Sequence, residues 1–240
     1  MLAELGGEGE AIGSGWMACD VPGSWADYAA GLGEDGPVTR HELEELVAFY
    51  VSRNRVPKLQ LTPYQHPSLL ENAVATGFAP FEFETLLAHW LEDLPTPRSL
   101  SGYSFRILEP TSPADVDAFV DAQNLGFFDG NMPNGMVNIT RRVLGHSRTT
   151  AWLVEFDGEP VGSAGIEVFE GSAVLIAGAV VAEHRRKGVQ QALMARRLRH
   201  AAELGCEYAL VQSMPNGPTE RNALKLGFVP VTTLVGLSRH

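Results

Sequence analysis

Val180-Val181-Ala182-Glu183-His184-Arg185-Arg186-Lys187-Gly188-Val189-Gln190-Gln191-Ala192-Leu193 is the most informative segment of the chain. Ahead of it, Ala173 to Ala179 is too short and too rich in small and β-branched residues to be a helix, and reads as a buried strand. Behind it, Ala192 to Ala202 consists of strong helix formers with apolar residues recurring at three and four. The order is strand, basic turn, helix N-terminus. The first N–H groups of a helix have no partner within it and carry the positive end of its dipole, so such a turn attracts phosphate. Arg185, Arg186 and Lys187 add positive charge.

Working outward, Asn216 and then Asn222-Ala223-Leu224-Lys225-Leu226-Gly227-Phe228 predict a short helix closed by Lys-x-Gly-Phe before a last strand, Val229 to Leu237. Loop and closing motif together resemble the GNAT N-acetyltransferase superfamily. Its acetyl-coenzyme A pyrophosphate loop reads Arg/Gln-x-x-Gly-x-Gly/Ala. Arg185 and Gly188 match that pattern, while Gln190 stands where a small residue is usual. The resemblance runs from about Tyr103 to the C-terminus. It implies an α/β (α+β) fold with a mixed, mostly antiparallel sheet flanked by helices.

The resemblance also implies a chemistry. The expected activity is an acetyl-CoA-dependent N-acetyltransferase, an acyltransferase that modifies a primary amine of a small molecule. Acetyl-CoA is the cosubstrate and no metal is involved. The backbone of Val180 and Ala182 is carried over to the pantetheine. The amides of Lys187, Gly188, Val189 and Gln190, with the charges of Arg185 and Arg186, are carried over to the pyrophosphate, and Asn216 aligns with the motif's Asn. The Tyr that commonly protonates the leaving thiolate is replaced by Ala223, with Asn222 and Ser213 nearby. Glu167, on a strand expected to border the cleft, is the candidate base; His184 is a second candidate whose expected role is packing. The missing Tyr keeps a second class open, a non-catalytic acyl-CoA-binding sensor.

Composition sets the outer bounds. The 240 residues suffice for one large or two small domains, and 45% hydrophobic with 20% charged residues is globular usage. A net charge of -11 argues against nucleic acid as a partner. Cys19 and Cys206 match neither a metal-ligand spacing nor a disulfide framework. No secretory start and no apolar run of ~20 residues is present, so a cytoplasmic protein without membrane contact is expected, with a homodimer allowed. The run Arg196 to Arg199 reads as a solvated helix face.

The first hundred residues repeat the pattern. Thr39 with Glu42 forms a capping box ahead of a helix with Leu43, Leu46, Val47 and Tyr50 on its apolar stripe, and Lys58 to Thr62 follows as a strand. Shifted by about 150 positions, Asn72-Ala73 falls on Asn222-Ala223, Gly77-Phe78 on Gly227-Phe228 and Pro80 on Pro230. The N-terminal half therefore reads as a degenerate copy, residues 1–97, followed by an acetyltransferase domain, 103–240. A Pro, Ser and Gly-rich linker, Leu94 to Gly102, separates them. Where the second half carries Arg185 to Lys187, the first carries Gly33-Glu34-Asp35-Gly36, whose carboxylates repel a pyrophosphate. Within the second half, Tyr103 to Ile107 is a strand and Ser112-Pro113 opens a helix. Asn124 to Asn138 corresponds to the region over the acceptor cleft, and Asp157-Gly158 and Glu170-Gly171 turn a meander of strands.

Overall fold

The structure, a computed structural model, describes residues 5–240; the reading of the N-terminus over Met1 to Glu4 lies outside the described residues. The chain divides into two compact units. One ends at Thr85 and takes in Thr232–His240, and the other is Leu86–Val231. The predicted linker, 94–102, lies inside the second unit, and the closing strand passes from the second unit to the first.

In the first unit, β1 (Glu8–Ile12) and β2 (Gly15–Cys19) form a hairpin, β3 (Tyr28–Ala30) pairs with β2, and β4 (Lys58–Leu61) lies parallel to β3. Strand β11 (Val229–Ser238) completes the order, pairing antiparallel to β4 through Val235–Ser238. Helix α1 (Arg40–Val51) opens on the predicted capping box. Thr39 accepts from the Glu42 N–H, and the Glu42 carboxylate accepts from the Thr39 N–H. Its buried Leu43, Leu46, Phe49 and Tyr50 close over Leu59, Ala29 and Met17 in one core with Leu69 and Ala73 of α2 (Ser68–Ala75).

In the second unit the strand order is β10 (Tyr208–Ser213), β9 (Ser172–Val180), β8 (Glu159–Phe169), β7 (Thr149–Phe156) and β6 (Tyr103–Ile107). The meander β6 to β9 is antiparallel, and β10 joins β9 in parallel. Asp157 and Gly158, both at positive φ, make one of its turns, and Glu170 and Gly171 make the other. Strand β5 (Ala79–Trp90) gives residues to both units.

Helices α3 (Pro113–Phe127) and α4 (Asn134–Leu144) cover one face of this sheet, and α5 (Val189–Glu203) covers the other. Along β7, Ala151 and Leu153 join the core with Phe119 and Leu144, whereas Trp152 and Val154 join the core with Leu193 and Leu198. Alternate residues of a strand point to opposite faces, so the two helix layers do as well. The segment Asn124 to Asn138 is mostly helical, with 128–133 as the connection between α3 and α4.

Two pairs of elements recur at a spacing of 150 residues. Helix α2 begins at Ser68 and α6 (Pro218–Lys225) at Pro218, 150 residues on, and β4 and β10 begin at Lys58 and Tyr208. Both helices end alike. Phe78 N–H donates to Ala73 O at 2.9 Å and Phe228 N–H to Ala223 O at 3.1 Å, around Gly77 and Gly227 at φ +88° and +93°. Only glycine takes that conformation without strain, which is why the same Gly-Phe pair closes each helix.

Candidate active site

The site begins where two strands part. Strands β9 and β10 pair only from Ser172/Tyr208 to Val174/Leu210, after which β9 continues to Val180 without its neighbour. Within that free stretch β9 carries a bulge. On β8, Ser163 and Gly165 are two apart, but their partners Ala179 and Ile176 are three apart, and Ala177 sits at φ +56°. The extra residue re-aims the backbone beyond it. Val181 N–H donates to Val161 O on β8 at 3.0 Å, so by alternation the Val180 N–H faces the gap.

Arg185 and α3 hold the end of β9 in place. Gly126 of α3 lies so close that a Cβ there would be 2.9 Å from the Ala179 Cβ and 3.3 Å from the Val180 nitrogen. Arg185 donates from Nε to the Val180 carbonyl at 3.0 Å and from Nη2 to the Gly126 carbonyl at 2.8 Å. Ala182 lies in a short 3₁₀ turn, its carbonyl accepting from the Arg185 N–H. His184 packs against Tyr103 and Phe156, with Nδ1 2.8 Å from the Tyr103 hydroxyl.

The turn then delivers the start of α5. Gly188 is the N-cap at φ +85°, no side chain caps it, and a Cβ on it would meet nothing closer than Leu100 Cδ2 at 3.9 Å. Arg186 and Lys187 are exposed beside it. An open helix N-terminus with two free-standing cations is the arrangement that accepts phosphate. Gln190, where a small residue is usual, turns its side chain away from this surface. Nε2 donates to Thr219 Oγ1 at 3.0 Å and Oε1 accepts from Asn222 at 2.6 Å. Gln191 donates to the same Asn222 at 2.9 Å.

The groups nearest the missing Tyr are all committed. Ala223 is fully buried. Ser213 Oγ accepts from the Glu220 N–H at 3.1 Å and so caps α6. Asn216 is exposed at φ +58° in the turn before α6; its N–H donates to Glu220 and its carbonyl accepts from Arg221. Glu167 is buried opposite Val174, with Arg148 Nε 3.6 Å from its carboxylate, and lies about 10 Å along the sheet from the bulge at strand rise.

Two site features escaped the sequence reading. Arg197, read as part of a solvated face, is 3% exposed and donates from Nη1 to Gly165 O at 3.1 Å and Ile176 O at 3.3 Å. Its spacing held the signal, since Arg197 stands three residues after Met194 and four before Ala201, on the apolar stripe. Arg196 is not free in solvent either, stacking 3.9 Å over Phe105. Gln123 of α3, also buried, donates to Ala177 O at 3.1 Å.

In the first unit the corresponding helix N-terminus is closed, because Thr39 and Glu42 take up its free N–H groups themselves. A cavity of about 280 Å³ beside it is lined by Asp35 and Glu42 rather than by cations. Among the described residues no cluster of three or more His, Cys, Asp or Glu could hold a metal, and no helix is long and apolar enough to cross a membrane.

Residues 117–228 match the model of the Acetyltransferase (GNAT) family. No curated protein matches the chain. Among solved structures, a GCN5-related N-acetyltransferase from Kribbella flavida superposes at TM-score 0.75 with 20% identity, over 99% of this chain and 92% of that one. A GCN5-related N-acetyltransferase from Sphaerobacter thermophilus gives 0.68 and 14%, over 94% and 76%. A tandem GNAT protein from the clavulanic acid biosynthesis pathway gives 0.66 and 15%, over 95% and 78%. At these identities the structures speak for the fold alone, and it is the fold the resemblance implied.

Proposed function

Because residues 117–228 match the model of the GNAT family, a family of acyltransferases, we propose that the protein transfers an acetyl group from acetyl-CoA to a primary amine of a small molecule. The observation that carries this reading is the coincidence, in one unit, of the parted β9 and β10 with the open α5 N-terminus. The residues fit the cosubstrate. The amides of Lys187, Gly188, Val189 and Gln190, with Arg186 and Lys187, would hold the pyrophosphate, and the free edge of β9 at Val180 would bond the pantetheine. When bound, acetyl-CoA supplies the acyl group as an activated thioester. The chain's own task is positioning, which by itself lowers a bimolecular barrier by several kcal/mol. Arg185 contributes indirectly by fixing Val180. For the base the residues offer Glu167, acting through water given its distance from the bulge, with Arg148 keeping a positive charge beside its carboxylate.

The first unit is proposed to be a degenerate copy of the same fold that binds no acyl-CoA, as its capped helix and acidic loop suggest. One observation favours a second reading: Ala223 is in the core, Asn222 is engaged with Gln190, and the Ser213 hydroxyl is engaged with α6, so neither neighbour of the missing Tyr stands ready to protonate a thiolate. That reading is an acyl-CoA-binding sensor. Thiol release from acetyl-CoA across an amine library, with calorimetry of CoA on the full chain, tests both. Binding with turnover supports the transferase, binding without turnover supports the sensor, and no binding removes both.

A further inference from the structure

The bulge on β9 is gripped from both faces of the sheet by buried polar side chains. From the α3 face, Gln123, 5% exposed, donates Nε2 to the carbonyl of Ala177, the bulged residue itself. From the α5 face, Arg197 donates Nη1 to Gly165 O and Ile176 O, the carbonyls that flank the slip in register between β8 and β9. Its Nη2 lies 3.5 Å from the point where a Cβ on Gly178 would sit. No carboxylate pairs with Arg197, and its Nε has no hydrogen-bond partner among the described residues. Burial alone draws its pKa down to about 9, which leaves it charged at neutral pH.

An unpaired buried guanidinium is costly, and a methionine would fill the same space without desolvating a charge. What the guanidinium adds is a set of fork-shaped donors for the Gly165 and Ile176 carbonyls, the pair at the edge of the bulge. We propose that Arg197 and Gln123 are positioning residues that lock the Ala177 bulge and thereby set the direction of the Ala177–Val180 backbone facing the gap between β9 and β10. The proposal rests on the acyl-transfer reading of that gap. Neither side chain touches the phosphate end at Gly188, so releasing the clamp disturbs the aim of the reacting end and leaves the phosphate grip, which carries most of the cosubstrate's binding, intact. The loss then falls on kcat rather than on KM.

The test uses the full chain with Gln123→Met, Arg197→Met and Arg197→Lys. Acetyl-CoA kinetics are followed by thiol release, CoA binding by calorimetry, and the amides of Gly178 and Val180 by hydrogen exchange. The expected result is a kcat lower by roughly 10-fold or more in both Met variants, with KM and CoA affinity within about 2-fold of wild type and faster exchange at the two amides. Lysine at 197 restores part of kcat, because it keeps one charged donor. If Arg197→Met does not fold, Gln123→Met carries the test alone. Unchanged kcat and unchanged exchange in folded variants overturn the proposal, and so does a parallel loss of CoA affinity, which marks general collapse. A wild-type protein that neither binds CoA nor releases thiol instead sinks the acyl-transfer reading; the exchange measurement then still decides whether the clamp exists.

Discussion

Arg185 and Val180 are joined by a hydrogen bond of 3.0 Å from Nε to the main-chain carbonyl, and the same guanidinium reaches Gly126 of α3 at 2.8 Å. The first cation of the basic turn is thus built into the end of β9. Arg186 and Lys187, exposed as Arg185 is, have no such main-chain anchor among the described residues. Removing Arg185 should therefore act on structure, and removing its neighbours on binding. Arg185→Ala is expected to lower unfolding free energy by about 1–2 kcal/mol for two lost hydrogen bonds, measured by urea titration. Arg186→Ala and Lys187→Ala should leave stability unchanged and weaken CoA binding roughly 2–5-fold each, an effect that shrinks at high salt. Equal effects of all three on binding alone would refute this division.

Gly188 should be the most sensitive position of the turn. At φ +85° any side chain costs about 1 kcal/mol, but the surrounding space is open, so Gly188→Glu should fold. Its carboxylate at an uncapped helix N-terminus would occupy the phosphate position with the wrong charge. Calorimetry should find no CoA binding in a variant with a native circular dichroism spectrum; unchanged affinity would move the site elsewhere.

The first unit makes the complementary case. Thr39→Ala removes the side chain that caps α1 and should cost about 1 kcal/mol of stability. CoA affinity should stay at the wild-type value, with one site per chain. Two sites, or a change in affinity, would show that the first unit takes part in binding.

Glu167→Gln separates a base from an ion-pair partner. As the base, its loss should lower kcat/KM by about 10²-fold or more and remove the acidic limb of the pH–rate profile. As a partner of Arg148 alone, the substitution would lower the melting temperature and leave the profile's shape intact.

Asp115 gives a pH signature of stability. The Arg106 guanidinium, bonded at 2.6 and 2.9 Å, and the Glu109 N–H hold its carboxyl below the usual range. A carboxyl depressed in the folded state stabilises above its unfolded pKa, near 3.9, and the contribution disappears as pH falls through the folded value. Asp115→Asn should therefore be less stable than wild type at pH 7, with the difference closing as pH falls through the depressed folded value. A difference independent of pH would assign the loss to packing.

What the sequence determined on its own is what depends on neighbours along the chain. The αL glycines at Gly77, Gly188 and Gly227, the capping box at Thr39, the turns at Asp157-Gly158 and Glu170-Gly171, and the strand–turn–helix of the phosphate site are local arrangements set by a few adjacent residues. The like helix endings at Gly77-Phe78 and Gly227-Phe228 were legible for the same reason, being local signals. The tertiary structure alone decided where Arg197, Gln123 and Gln190 point. Each is polar, and each has partners that lie far away in sequence, on β8, β9 or α6. It also decided that β9 parts from β10 after Val174 and bulges at Ala177, because strand pairing depends on register with neighbours and not on any one strand's composition. The run from Arg196 to Arg199 makes the difference concrete. Composition says solvent, but Arg197 is carried into the core by the 3.6-residue period of α5.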